Sequence, residues 1–250
     1  MNLVEEYRRQ FGWRSWKRIF DSLPPLVGQN VLDLGCGIGD QARELSVRGA
    51  SVIGFDSNRE LIAEATSRKL KNCEFHRCDL RFLPNVGTRA DGVWCSFTAA
   101  YFIDLPVLLK SWSNHLVREG WIALTEIDDL FGHQPLSTKT SSLLEAYTQD
   151  AMSAGRYDFR MGRKLQQYLQ QSGYVVSHVL ILPDEELSFN GPGKPDVISA
   201  WRHRLERMSL LRTFCGSKFA ELREEFLGCL SRTDHVSTTR VISCFATKHR

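Results

Sequence analysis

Val31-Leu32-Asp33-Leu34-Gly35-Cys36-Gly37-Ile38-Gly39, followed by Val52-Ile53-Gly54-Phe55-Asp56, is the stretch whose reading decides the fold of this chain. The first run reads as a buried strand entering a glycine turn that opens a helix. The second reads as another buried strand ending on a lone carboxylate. Glycines allow a tight turn and let a ligand approach the backbone closely. A carboxylate at the end of the next strand can accept hydrogen bonds from both hydroxyls of a ribose. The unit predicts a nucleoside-binding crevice at the carboxyl ends of parallel strands.

The spacing of the turn narrows the ligand. Dinucleotide sites use G-x-G-x-x-G and rest a pyrophosphate on the helix N-terminus. Here the spacing is G-x-G-x-G, and Asp40 stands where the third glycine of that fingerprint would be. A carboxylate there would repel a pyrophosphate, and Asp33 adds a second negative charge. Such a setting suits a ligand carrying an ammonium and a sulfonium, as S-adenosylmethionine does.

On these residues the chain resembles the class I S-adenosylmethionine-dependent methyltransferases. The acid-x-G-x-G-x-G motif is matched by Asp33, Gly35, Gly37 and Gly39, and the acid ending the second strand by Asp56. Cys78-Asp79-Leu80 is similar to the element near the adenine amine, although Asp79 also suits a simple turn cap. Ala90 to Phe97 resembles the fourth strand. Leu108 to Thr125 resembles the helix, glycine turn and fifth strand. The resemblance implies S-adenosylmethionine as cofactor, held by Asp33, Gly35, Cys36, Gly37, Gly39, Asp56, Ser57, Asp79, Leu80 and Phe97. It also implies an antiparallel pair of strands at one edge of the sheet.

Composition bounds the alternatives. A chain of 250 residues, 42% hydrophobic, can bury one substantial core. A formal charge of +3 gives no argument for nucleic acid as a partner. Seven cysteines without a C-x-x-C pair speak against a disulfide framework or a zinc knuckle, and no metal is expected. No apolar run is long enough to cross a bilayer, and the first residues lack the apolar core of a secretory signal. These features predict a cytoplasmic protein with no membrane partner, as a monomer or a homodimer.

Alternating strand and helix patterns to about residue 127 predict an α/β, doubly wound, mostly parallel sheet, seven-stranded by the resemblance, with helices on both faces. The chain reads as a single domain over 1–250. Residues 1–25 form an aromatic and basic helical segment, 26–182 the Rossmann-like core, 183–235 a helical cap and 236–250 the terminal strand. Helices are expected over Ser137–Ser153 and Met161–Ser172, a strand over Tyr174–Leu182, and a long helical stretch from about Val197 to Leu230. The N-terminal segment reads either as a packing helix or as a flap that brings Tyr7 and Trp13 to the cofactor.

Methyl transfer is an in-line displacement at an already electrophilic carbon. Alignment of the acceptor contributes up to ~7–11 kcal/mol, and a general base adds ~10²- to 10⁴-fold where the acceptor must lose a proton. Candidate catalytic residues are His133, just past the fifth strand, Glu126 at its end, and Tyr101. Candidate acceptor contacts are Thr98, Tyr101, His133, Trp201 and Arg204. There is no Asp/Asn-Pro-Pro-aromatic turn after strand four and no Pro-Cys, which lowers the case for DNA amino and cytosine C5 chemistry. The expected function is methyl transfer to oxygen or nitrogen of a small-molecule acceptor. The alternatives are an enzyme acting on RNA or protein, and a protein that binds S-adenosylmethionine without methylating.

Overall fold

Apolar residues on both faces of short strands demand cover on both sides, and the chain supplies it. The computed structural model describes residues 3–249. Its strands are β1 (Asn30–Leu34), β2 (Ser51–Asp56), β3 (Cys73–Arg77), β4 (Ala90–Ser96), β5 (Leu116–Asp128), β6 (His133–Gln134), β7 (Tyr174–Leu182), β8 (Val236–Ser237) and β9 (Arg240–Lys248). Seven of them form one sheet in the order β3-β2-β1-β4-β5-β9-β7. The first five pair in parallel, while β9 runs antiparallel to both β5 and β7. This is the doubly wound, mostly parallel sheet expected from the sequence.

Strand side chains alternate between two cores. Val31, Trp94, Trp121 and Ala123 belong to one, and Leu32, Cys95, Ile122 and Leu124 to the other. The helices are α1 (Leu3–Trp13), α2 (Trp16–Phe20), α3 (Asp40–Val47), α4 (Arg59–Ser67), α5 (Leu105–Ser113), α6 (Thr138–Ser153), α7 (Leu165–Gln171), α8 (Pro195–Arg207), α9 (Ser209–Cys215) and α10 (Phe219–Leu230). On one face α2 lays Trp16, Ile19 and Phe20 onto the sheet, and Phe20 stacks on Trp94 with ring centroids 4.8 Å apart. Burial of those three side chains stabilises the docking of α2 by roughly 1.5–3 kcal/mol each. On the opposite face α5 and α7 bury Leu105, Leu109, Trp112, Leu165 and Leu169.

The strand expected over Tyr174–Leu182 is β7 without change of boundary. Helix α6 starts where Ser137 caps it, its hydroxyl accepting from the Thr140 amide. The long stretch expected from Val197 to Leu230 divides into three helices instead. Met208 leaves helical geometry after α8, and Gly216 takes a φ of 55° after α9. The two breaks let α8, α9 and α10 fold against one another, with Trp201, Leu205, Leu211, Leu222 and Phe226 joining the core of the α2 face. The β6–β8 pair, which the sequence analysis did not anticipate, clasps the loop after β5 to the segment before β9.

Among the described residues, no helix is long and apolar enough to cross a membrane. No group of His, Cys, Asp and Glu among them has the arrangement of a metal site.

Candidate active site

The carboxyl ends of β1, β2 and β4 open onto a crevice of about 1140 Å³. A volume of that order is enough for a nucleoside ligand and a second small molecule. The turn after β1 forms its floor. The Gly35 and Cys36 amides both donate to the Phe55 carbonyl, at 2.7 and 3.0 Å, which ties the turn to the end of β2. Gly35 sits at φ 81°, and a Cβ there would lie 1.9 Å from Thr98 Oγ1. Only glycine fits, and the absence of a side chain lets the post-β4 segment close against the turn. Gly37, at φ 52°, has the Tyr7 ring of α1 directly over it.

Asp56 organises this floor. Its Oδ2 accepts from the Gly37 amide at 3.0 Å and its Oδ1 from the Asn58 amide at 2.8 Å. Burial raises its pKa and so favours the neutral form, and the Asn58 and Gly37 amides oppose that shift. Each carboxylate oxygen retains a lone pair for a ribose hydroxyl. Asp33 is almost wholly buried behind the turn and is absent from the crevice lining, and its Oδ2 has no partner among the described residues. Desolvation, reinforced by the nearby Asp56 charge, pushes Asp33 up to about 8. A buried acceptor in that condition suits a ligand that brings a cation and a donor.

Asp40 requires a correction. It makes a salt bridge with Arg68 at 2.7 Å, so its charge is neutralised. The negative charge of the turn therefore rests on Asp56, with Asp33 held neutral until a cation ionises it. Gly39 lies outside the crevice lining, and a Cβ on it would meet the Phe75 ring at 2.7 Å. Ser57, Asp79 and Leu80 do line the crevice, beside Ile38 and Leu61. Asp79 caps a short 3-10 turn through the Arg81 amide, and both its oxygens also accept from the Arg81 guanidinium. Those hydrogen bonds hold its carboxyl below the usual range.

Phe97, Thr98 and Tyr101 form the wall beyond β4. Phe97 occupies the left-handed region at φ 55°, a conformation that costs a β-region residue of this size of order 1–3 kcal/mol. Its amide donates to the Thr125 carbonyl at 2.8 Å, and the Arg14 guanidinium lies 5.1 Å from its ring centroid. Tyr101 meets Tyr157 edge-on at 4.8 Å.

Three candidates stand elsewhere than expected. His133 is buried on β6, where it pairs with Ser237 of β8. Asp129, at φ 62°, turns the chain after β5, and the ring ends up beside Trp201 and Phe226 and stacked on His235. Its Nδ1 lies 3.0 Å from His235 Nε2, and desolvation, with His235 second, pushes it down to about 3. It is a core histidine, out of reach of the crevice. Trp201 is equally enclosed, its indole N–H donating to the Glu186 carbonyl at 2.8 Å. Trp13 is absent from the crevice wall; it packs on the core with the Arg9 guanidinium over its ring.

Glu126 lies behind the wall. Its Oε1 accepts from the Ala100 amide at 3.0 Å and its Oε2 contacts the Ile127 amide at 3.3 Å. Full burial raises it to about 7 against those amide hydrogen bonds. Glu126 fixes the turn that carries Thr98 and Tyr101, and it does not line the crevice.

The roof is made by α1 and α8. Arg204 enters the crevice from α8 and Tyr7 from α1. Arg14 bridges Asp184 and Glu186, each at 2.7 Å, and Arg204 bridges Glu186 at 2.6 Å. Arg207 pairs with buried Glu6. The roles of Arg14, Asp184, Glu186 and Glu6 escaped the sequence analysis, because partners about 170 residues apart leave no local pattern. The one available signal is the acidic run Asp184-Glu185-Glu186 directly after an apolar strand.

Residues 31–120 match the family model of the methyltransferase domain. The trans-aconitate 2-methyltransferase of Deinococcus radiodurans is 29% identical over 129 residues, which are 51% of this chain and 48% of that protein. The 23S rRNA (uracil(1939)-C(5))-methyltransferase RlmD of Nitrosococcus oceani is 34% identical over 79 residues, 30% of this chain and 18% of that one. The chain thus spans less than half the length of either curated relative. A crystal structure of an S-adenosylmethionine-dependent methyltransferase from Mesorhizobium loti superposes with a TM-score of 0.55 at 21% identity, covering 93% of this chain and 97% of that one. Residues 31–120 thus match a methyltransferase domain, and the glycine turn tied to Asp56 and the strand order give this chain the fold of the class I S-adenosylmethionine-dependent methyltransferases.

Proposed function

We propose that the crevice binds S-adenosylmethionine and that the protein transfers its methyl group to oxygen or nitrogen of a small molecule held beneath α1 and α8. The observation that carries this reading is the Asp56 carboxylate, fixed by the Gly37 and Asn58 amides with lone pairs left for two ribose hydroxyls. Ile38, Leu61 and Leu80 would sandwich the adenine, and Asp79 would share its oxygens between Arg81 and the ring amine. The buried, unpartnered Oδ2 of Asp33 favours the ammonium of the methionine moiety, which would return that carboxyl to its ionised form.

Bound there, the sulfonium would supply an electrophilic methyl: the acceptor lone pair forms the new bond to carbon while the carbon–sulfur pair leaves to sulfur, giving a neutral thioether, and any proton on the acceptor atom passes to solvent. The chain contributes position. Phe97 and Thr98 shape the passage between the two ligands, and Glu126 holds their turn rigid from behind. Desolvating crevice surroundings, with the Glu126 carboxyl nearby, hold the Tyr101 hydroxyl above its ordinary value, so at neutral pH it stays protonated, able to donate a hydrogen bond and not to act as a base. The helices α1 and α8 roofing the crevice favour a small acceptor over a macromolecule. We also propose a single domain and a cytoplasmic setting, the latter because all seven cysteines are free thiols.

The test is calorimetric titration of S-adenosylhomocysteine into wild type and Asp56→Ala. The variant is expected to bind at least about tenfold more weakly, from the loss of two charge-assisted hydrogen bonds. Equal affinity would remove Asp56 from the site. Incubation of wild type with S-adenosylmethionine and a metabolite extract, followed by mass spectrometry, is expected to yield a small molecule heavier by one methyl group. Methylation of RNA or protein alone would overturn the small-acceptor reading.

A further inference from the structure

The strand order separates the crevice into two ends. Asp56 and Asp79 follow β2 and β3, whereas Tyr101 follows β4, and Tyr157 sits against it because the Asp158 amide donates to the Ala100 carbonyl at 2.8 Å. At the β4 end four donor groups converge. Tyr7, Tyr101, Tyr157 and Arg204 all line the crevice, and each lies close enough to the other three to interact electrostatically. None of the three phenol hydroxyls has a hydrogen-bond partner among the described residues. Arg204 spends one terminal nitrogen on Glu186, while its Nε is buried without a partner and its other terminal nitrogen has no hydrogen bond among the described residues.

We propose that this group is a receptor for an anionic substituent, a carboxylate or a phosphate, on the methyl acceptor. The proposal rests on the S-adenosylmethionine reading above and assigns the substrate class at the same site. A guanidinium with free N–H groups beside three hydroxyl donors matches the several lone pairs of an oxyanion. Glu186 holds Arg204 in place from behind, so little side-chain freedom is lost when the anion binds. The three aromatic rings alone would equally suit a cationic ammonium. The guanidinium among them, with N–H donors and no acceptor, favours the anion over that alternative. The methionine carboxylate of the cofactor offers the same chemistry as an anionic acceptor, and the experiment must separate the two.

Wild type is first saturated with S-adenosylhomocysteine, then titrated with inorganic phosphate, with citrate and with tetramethylammonium. Saturation itself tests the cofactor reading, so its failure is distinct from failure here. The expected result is that phosphate or citrate binds the loaded protein and tetramethylammonium does not. Arg204→Gln is expected to weaken the anion at least about tenfold and S-adenosylhomocysteine less than about twofold. Tyr101→Phe and Tyr157→Phe, which remove only hydroxyls and keep the rings, are expected to weaken the anion about threefold or more. If Arg204→Gln instead weakens S-adenosylhomocysteine tenfold, the anion is the cofactor's own carboxylate and the proposal fails. It fails equally if neither anion binds the loaded protein, if tetramethylammonium binds in their place, or if the two Phe variants bind anion as wild type does.

Discussion

Glu186→Ala offers the sharpest test of how the roof of the crevice is held. Glu186 is fully buried and shared by two arginines, at 2.7 Å from Arg14 and 2.6 Å from Arg204. Burial by itself would raise its pKa; Arg204 and Arg14 more than offset this and bring it down to about 2, against 4.5 for an ordinary glutamate. That depression corresponds to roughly 3 kcal/mol of stability at neutral pH. Removing one partner of a buried pair costs about 3–5 kcal/mol by an independent route. Arg14 keeps Asp184, and Arg204 loses its salt bridge but keeps the more distant Asp184 charge, so the lower end, about 3 kcal/mol, is expected. For a chain of this size that lowers the melting temperature by roughly 6–12 °C. The sign with pH is fixed: a depressed carboxylate contributes fully above pH 4.5, and its contribution is lost as pH falls toward 2. Denaturant titration of wild type and variant at pH 7 and pH 4 measures both effects. A loss below about 1 kcal/mol at pH 7, or a difference that fails to shrink on acidification, would refute the reasoning.

Other perturbations have equally definite outcomes. His133 is held neutral, its value pushed down to about 3 from an ordinary 6.5, so its contribution is complete above pH 6.5 and lost as pH falls. By pH 5 the loss is about 2 kcal/mol, and His133→Leu is expected to flatten the urea midpoint between pH 7 and 5; an unchanged slope would sink the assignment. Gly35→Ala forces a Cβ into Thr98 Oγ1 at a positive φ and is expected to destabilise by about 2–5 kcal/mol. A thermal shift under about 3 °C for that variant would show that the turn can open without cost.

The floor of the crevice was legible in the sequence because it is local. Glycine spacing and a strand-ending acid report backbone geometry within some 25 residues, and Gly35, Gly37 and Asp56 meet as that spacing required. Strand alternation likewise exposed the sheet, down to the boundaries of β7. His133 shows where local reading stops. Its position after β5 suggested the crevice, yet pairing of β6 with β8, about a hundred residues away, turns it into the core. Glu126 was placed near the right turn but on its far side, because period-two alternation gives a face and not the depth of a side chain behind a wall.

By itself, then, the sequence determined the sheet, the glycine turn and the carboxylate that lines the crevice. Only the tertiary structure decided the roof: that Arg14, Asp184, Glu186 and Arg204 form one buried ion network, and that Tyr7, Tyr101 and Tyr157 converge beside it. The physical reason is the range of the forces involved. Turn and strand preferences act between neighbours in the chain and leave a pattern there. Desolvated charge pairs act through space, between residues that the sequence keeps 170 positions apart.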